Sequence, residues 1–151
     1  ERIGRAVVRR HRIIETYLAR SLGMPWDQVH DEADRLEHAA SEALVDRMDE
    51  ILGHPDADPH GDPIPRSGNT GNLGVVLMSH ATAGTEVQVA RVSDSNPEIL
   101  RFLTERGIAI GTRLEVLSGL SGMGLMAVRH EGNEIELSAP IADAIHVARV
   151  S

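Results

Sequence analysis

The stretch Pro25-Trp26-Asp27-Gln28-Val29-His30-Asp31-Glu32-Ala33-Asp34-Arg35-Leu36-Glu37-His38-Ala39-Ala40 decides how the first half of the chain is read. Trp26, Val29, Ala33, Leu36 and Ala40 step by three and four, which predicts a helix over residues 25–40 with a narrow apolar seam. The same helix carries His30, Asp34, Glu37 and His38. With His30 as zero and ~100° per residue, Asp34 lies near ~40°, Glu37 near ~−20° and His38 near ~80°. Four metal-competent groups therefore share one arc, bordered by the seam. Beside a buried seam such a cluster is partly desolvated, and a cation there can offset the burial of carboxylates.

Upstream, residues 2–22 read as another helix, with Ala6, Val7, Ile13, Ile14, Tyr17, Leu18 and Leu22 at mostly helical spacings. Gly23 is its expected stop, and Pro25 suits the first turn of the next helix. This helix adds His11 and Glu15, four apart and so on one face. Antiparallel packing brings that pair toward His30. Downstream, Ser41 is the expected N-cap of a third helix, with Leu44, Met48, Ile51 and Leu52 on its buried side. Three short helices bury little area alone, so a partner, an identical subunit, is expected to complete the core. The seam Trp26, Val29, Ala33 and Leu36 is the candidate for core and dimer contact together.

From Gly53 to Gly74 prolines and glycines accumulate, and a linker or irregular loop is expected over residues 53–74. His54, Asp56, Asp58 and His60 are ligand types, but among prolines they read as a solvated loop. Beyond it the period changes to two. Short strands are expected at Val75–Met78, Glu86–Val92, Arg113–Leu117, Leu125–His130, Glu134–Leu137 and His146–Val150, with a helix from Pro97 to Arg106. Gly132-Asn133 reads as a tight hairpin turn. Short strands with one inserted helix predict a small β-barrel.

Composition narrows the functions. The 151 residues include 23 acids against 15 bases, a formal charge of −8, which makes a poor generic surface for nucleic acid. Aromatics are 2% of the chain, too few for base-stacking platforms. There is no Cys, which excludes disulfides and thiolate metal sites and fits a cytoplasmic location. No apolar run is long enough for a transmembrane helix, so no membrane partner is expected. No His-Glu-x-x-His or Gly-x-Ser-x-Gly occurs, and Gly119, Gly122 and Gly124 around Met123 are followed by no phosphate-loop Lys. No enzyme activity and no small organic substrate are indicated. His11 and Glu15 alone would be an ordinary solvated pair. The six-residue constellation His11, Glu15, His30, Asp34, Glu37 and His38 favours a metal site. Its N and O donors suit Mn(II) or Fe(II), with Zn(II), Co(II) or Ni(II) able to bind in vitro.

Two segments, Arg10-His11-Arg12-Ile13-Ile14-Glu15 and Val29-His30-Asp31-Glu32-Ala33-Asp34-Arg35-Leu36-Glu37-His38, resemble the diphtheria toxin repressor family of metal-dependent transcriptional regulators. Pro59-His60-Gly61-Asp62-Pro63-Ile64-Pro65 resembles that family's Pro-rich connection. Leu100-Arg101-Phe102-Leu103-Thr104-Glu105-Arg106-Gly107-Ile108 resembles the SH3-like domain these regulators share with the ferrous-iron transport accessory protein. The resemblance implies an ancillary metal site at His11, Glu15 and His30, and a regulatory site at Asp34, Glu37 and His38. In its manganese-sensing branch the residue matching His11 joins the regulatory cluster. Asp34 stands where the iron-sensing branch has Cys, which removes a soft donor and leans toward manganese. Ancillary ligands from the SH3-like domain fall near Asn96–Ile99, where Glu98 is the one ligand type. A winged helix-turn-helix domain is implied ahead of Glu1.

The expectation is an α+β chain of two domains. Residues 1–52 form a helical metal-binding and dimerisation domain, 53–74 a linker, and 75–151 an SH3-like β-barrel. The expected function is metal sensing for a homodimeric repressor whose N-terminal domain binds operator DNA. The alternative is a ferrous-iron-transport accessory module that acts through protein partners and uses only the SH3-like half.

Overall fold

The computed structural model describes residues 2–65 and 75–150, with side chains from Val7 onward. The chain divides into two compact units, Glu1–Gly71 and Asn72–Ser151.

The first unit holds α1 (Arg2–Leu22), α2 (Val29–Glu37) and α3 (Glu42–Ile51). Ile13, Ile14 and Leu18 of α1 pack with Val29 and Ala33 of α2 and Val45 of α3. After Leu22 the chain reverses at Gly23, whose φ of +70° favours a residue without Cβ. The second helix is shorter than expected: residues 26–28 form a turn, and Trp26 lies outside the helix. The seam accordingly divides. Val29 and Ala33 are buried in the core, Trp26 is half-buried, and Leu36 is 37% exposed.

Ser41 caps α3, its Oγ accepting the Leu44 N–H at 3.1 Å. The buried side of α3 differs from the expected one. Val45 and Asp49 face inward, Met48 and Leu52 are partly buried, and Leu44 and Ile51 are exposed. The reason is electrostatic: Asp49 is 3% exposed and meets Arg9 Nη2 at 3.5 Å and His54 Nδ1 at 3.0 Å, so a carboxylate is paired inside. The helix ends in a Schellman turn, with the Gly53 φ at +78° and the His54 N–H donating to the Asp49 carbonyl at 2.9 Å.

The segment after α3 is ordered onto the first unit as far as Pro65, and the rest of the expected linker lies outside the described residues. Asp58 Oδ1 accepts the N–H groups of His60 and Asp62, each at 2.9 Å, which closes a side-chain turn. The Ile64 N–H donates to the Asp56 carbonyl, and Ile64 enters the helical core. Arg12 donates to the Pro63 carbonyl. Asp58 and His60 are buried, which corrects the solvated-loop reading for these two, while His54 and Asp56 are exposed. Prolines did not loosen the segment. They restrict φ and remove donors, leaving few backbone groups to satisfy in a buried turn.

The second unit is a six-stranded antiparallel sheet in the order β1-β6-β2-β3-β4-β5. Its strands are β1 (Val75–Leu77), β2 (Glu86–Val92), β3 (Arg113–Ser118), β4 (Leu125–His130), β5 (Asn133–Ser138) and β6 (Ile145–Arg149). In β5 Glu134 and Glu136 face out while Ile135 and Leu137 face in, the period-two pattern of a half-buried strand. Bulges near Ala90 and Leu117 bend the sheet. The β4–β5 turn sits one residue earlier than expected, on Glu131 and Gly132 with φ of 51° and 83°. Asn133 already pairs with His130. Two successive positive φ angles match the twist of a two-residue hairpin. Pro97–Glu105 forms α4, capped by Asn96, whose Oδ1 accepts the Glu98 N–H at 3.0 Å. A fifth helix, α5 (Ala139–Ala144), carries the chain from β5 at one sheet edge to β6. Its six residues are too few to show a helical period.

Candidate metal centre

The centre is built around Glu15. Its α1 position, one turn after His11, turns the carboxylate inward, where it is only 1% exposed. Its Oε2 lies 3.3 Å from His11 Nε2, 3.3 Å from His30 Nδ1 and 4.0 Å from His60 Nδ1. The other oxygen, Oε1, and Asp58 Oδ2 are also buried, and the two carboxyl groups are close enough to share a proton. A cation can take the place of that proton.

Among the described residues there are three groups of potential ligands, the donor atoms of each lying within 4.8 Å of one another. One is His11, Glu15 and His30. The second is His11, Asp34 and Glu37, with His11 Nδ1 at 3.4 Å from Asp34 Oδ1 and 3.5 Å from Glu37 Oε2. The third is Glu15, Asp58 and His60, with His60 Nδ1 at 3.9 Å from Asp58 Oδ2. Two donors, each about 2.0–2.2 Å from one ion, stand roughly 3–4 Å apart. The spacings and the purely N and O donor set therefore fit a divalent cation.

The local fold explains these positions. Arg10 donates to the Glu37 carbonyl and, at 2.7 Å, to the Ala40 carbonyl. It thereby holds the end of α2 against α1, which places Asp34 and Glu37 over His11. His60 is set by Trp26, whose carbonyl lies 2.7 Å from His60 Nε2 and whose ring stacks on the imidazole at 6.2 Å. A backbone carbonyl on one ring nitrogen selects the tautomer that leaves the other for a metal.

The charges are mutually dependent. The hydrogen bond to Glu15 is the main reason that His11 is raised to about 8, with burial opposing and Glu37 and Asp34 adding. Burial pushes Glu15 up, the neighbouring Asp58 adds to this, and His11 works against it. Asp58 is held low: burial opposes this, but His60, Glu15 and the Asp62 N–H outweigh it. Burial works to lower His60, yet Asp58, the Trp26 carbonyl and Glu15 raise it to about 9. Without a metal, protons take the place of a cation among these acids.

Of the residues singled out in the sequence, the structure brings together His11, Glu15, His30, Asp34 and Glu37. His38 is the exposed C-cap of α2 and belongs to none of the three groups. Glu98 is exposed in the first turn of α4 in the second unit. Asp58 and His60 were noticed only as ligand types in a loop. The motif Asp58-x-His60 with Gly61 at a φ of +84° was the available signal for an ordered turn.

Residues 1–66 match the iron-dependent repressor metal-binding and dimerisation domain, and residues 76–149 match the FeoA domain. The diphtheria toxin repressor of Corynebacterium glutamicum is 30% identical over 159 residues, covering 96% of this chain and 67% of that protein. The chain belongs to the iron-dependent repressor family. The iron-dependent repressor IdeR of Mycobacterium leprae is likewise 30% identical, over 96% of this chain and 68% of its own length. Among solved structures, a manganese-dependent transcriptional repressor in complex with manganese superimposes with a TM-score of 0.92. It is 41% identical and is matched over 99% of this chain and 72% of its own. The second unit of this repressor-family chain is accordingly an SH3-like β domain of FeoA type. No helix among the described residues is long and apolar enough to cross a membrane.

Proposed function

We propose that this chain is the metal-sensing and dimerisation portion of a manganese- or iron-dependent transcriptional repressor. The observation that carries the reading is the Glu15 carboxylate, 1% exposed and facing the imidazoles of His11, His30 and His60. A buried carboxylate among imidazoles is stabilised by protons in the metal-free chain and by a cation that replaces them. His11, Glu15, His30, Asp34 and Glu37 are the proposed ligands, with His38 beside them at the end of α2 and Asp58 and His60 on the loop side. A bound divalent ion supplies positive charge and a fixed coordination geometry. The side chains then link α1, α2 and the loop, and the ordered unit holds two DNA-reading domains of a homodimer at operator spacing. Metal acts as corepressor only through tighter binding to the DNA-competent arrangement.

Asp34 supports manganese over iron, because a carboxylate favours harder ions than a thiolate does. Leu22, Leu44 and Ile51, 63%, 48% and 66% exposed, supply apolar surface for the second subunit. Operator DNA is read by a winged helix-turn-helix domain, not by this acidic chain, and the site is cytoplasmic and non-catalytic. The accessory-module alternative leaves the first unit without a role, whereas the family match spans both units.

The test is a titration of the metal-stripped chain with Co(II), followed by its visible absorption, beside the Asp34→Ala/His38→Ala variant. Saturable binding weakened in the variant is expected. Absence of saturable binding in the wild-type chain sinks the sensor reading.

A further inference from the structure

In β6 the alternation that buries Val147 puts Arg149 on the same face of the sheet. Val147 stands opposite Val76 and Val89, and Arg149 stands opposite Val87. An arginine therefore holds a core-facing register position at the end of the strand. There a cavity of about 160 Å³ opens, with Val76 and Val87 as its apolar walls and His80, Thr82, Thr85 and Arg149 around it. The side chains of Arg149 and His80 have no hydrogen-bond or ion-pair partner among the described residues. Thr85 Oγ1 donates to the Thr82 carbonyl at 2.7 Å, so its proton is already used. The rim thus offers N–H donors beside methyl groups, which complements a carboxylate next to an aliphatic side chain. Glu86 faces the other side of the sheet, opposite Glu115, and does not neutralise Arg149. The net charge of −8 does not cancel the local one, because charges more than about 8–10 Å away are screened at physiological salt. Ala81 also lines the cavity, and a Cβ on Gly119 would lie 3.5 Å from the Ala81 carbonyl oxygen. The loop that starts at Gly119 holds out Met123, 89% exposed, an adaptable apolar surface beside the same wall.

We propose that this cavity docks an acidic peptide segment of a partner protein, with an aliphatic side chain between Val76 and Val87 and a flanking carboxylate on Arg149. Small-molecule sites have volumes of roughly 300–1,000 Å³, so this smaller cavity takes one side chain and leaves the rest of the ligand outside. The proposal concerns the second unit alone and does not depend on the metal-sensor reading.

The experiment titrates the metal-free, ¹⁵N-labelled 151-residue chain with the peptide acetyl-Asp-Leu-Asp-amide and follows amide shifts by nuclear magnetic resonance. Saturable shifts at Val76, Thr85 and Val87 are expected. Replacing both Asp by Asn, or Leu by Ala, should weaken binding. Arg149→Gln should weaken it roughly fivefold, as for an exposed ion pair. Val76→Glu, at an exposed position, should abolish it by placing the chain's own carboxylate beside Arg149. Circular dichroism confirms that both variants fold, and the peptide variants decide the matter if either does not. No saturable shift, shifts confined to other residues, equal affinity for the Asn peptide, or unchanged affinity in Arg149→Gln overturns the proposal. Tighter binding of a Lys-containing or Pro-rich peptide at the same amides also overturns it, because the cavity would then serve another kind of partner.

Discussion

The two units solve the burial problem in opposite ways. In the second unit the buried side chains are apolar throughout, among them Val87, Val89, Leu103, Leu114, Met126 and Val147. Every buried polar or charged side chain among the described residues, Glu15, Thr16, Asp49, Asp58 and His60, lies in the first. Its apolar core is small: Ile13, Ile14, Leu18, Val29, Ala33, Val45 and Ile64. The β domain can rest on hydrophobic burial alone. The helical unit gives up core volume to a cluster of acids and imidazoles in which protons stand in for a cation until one binds. An element whose stability depends on a ligand is suited to sensing it.

The largest expected effect that separates the units is loss of a core side chain. Ile14→Ala should cost about 2–5 kcal/mol and unfold or strongly weaken the helical unit. In scanning calorimetry the transition of the β domain should stay in place. Movement of both transitions together would break the comparison, because the units would then fold as one.

Metal should act on the same unit with somewhat smaller force. Mn(II) at 100 times its dissociation constant should stabilise the helical unit by about 2.7 kcal/mol and leave the β domain unmoved. An equal rise in the β-domain transition would place a ligand there, and Glu98 would be the first side chain to replace.

Acidity sharpens the comparison further. His60 is raised from about 6.5 to about 9 and His11 to about 8 in the metal-free chain. A raised folded-state value means that protonation stabilises the fold. That contribution is complete below about pH 6.5 and is lost as pH rises through 8 and then 9. The metal-free helical unit should therefore lose stability between pH 6.5 and 9. His60→Gln should flatten the profile, and a profile unchanged by it would remove His60 from the cluster.

The smallest effect concerns the β domain alone. Glu131 sits at a φ of 51° in the β4–β5 turn, a conformation that Asn tolerates better. Glu131→Asn should stabilise this unit by about 0.5–1 kcal/mol, with no change in metal binding.

Legibility followed periodicity. The first helix, the Ser41 cap and all six strands were readable, because apolar spacing and capping act over a few residues. The second helix was read too long, since Trp26 keeps the helical step while its backbone turns. The short α5 carried too few residues for any period. In the site, the i,i+4 spacing of His11/Glu15 and His30/Asp34 was visible. The loop side was discounted because His54–Pro65 carries no period, and burial of such a loop depends on Trp26, Arg12 and Ile64 far away in sequence.

By itself, the sequence determined the two-part architecture and the one helical face rich in carboxylates and imidazoles, because these rest on local spacing. Only the tertiary structure decided that Glu15 is buried, that His11 faces both sides and that Asp58 and His60 close the cluster. Those facts depend on which surfaces pack against α1, and packing between distant segments leaves no local period to read.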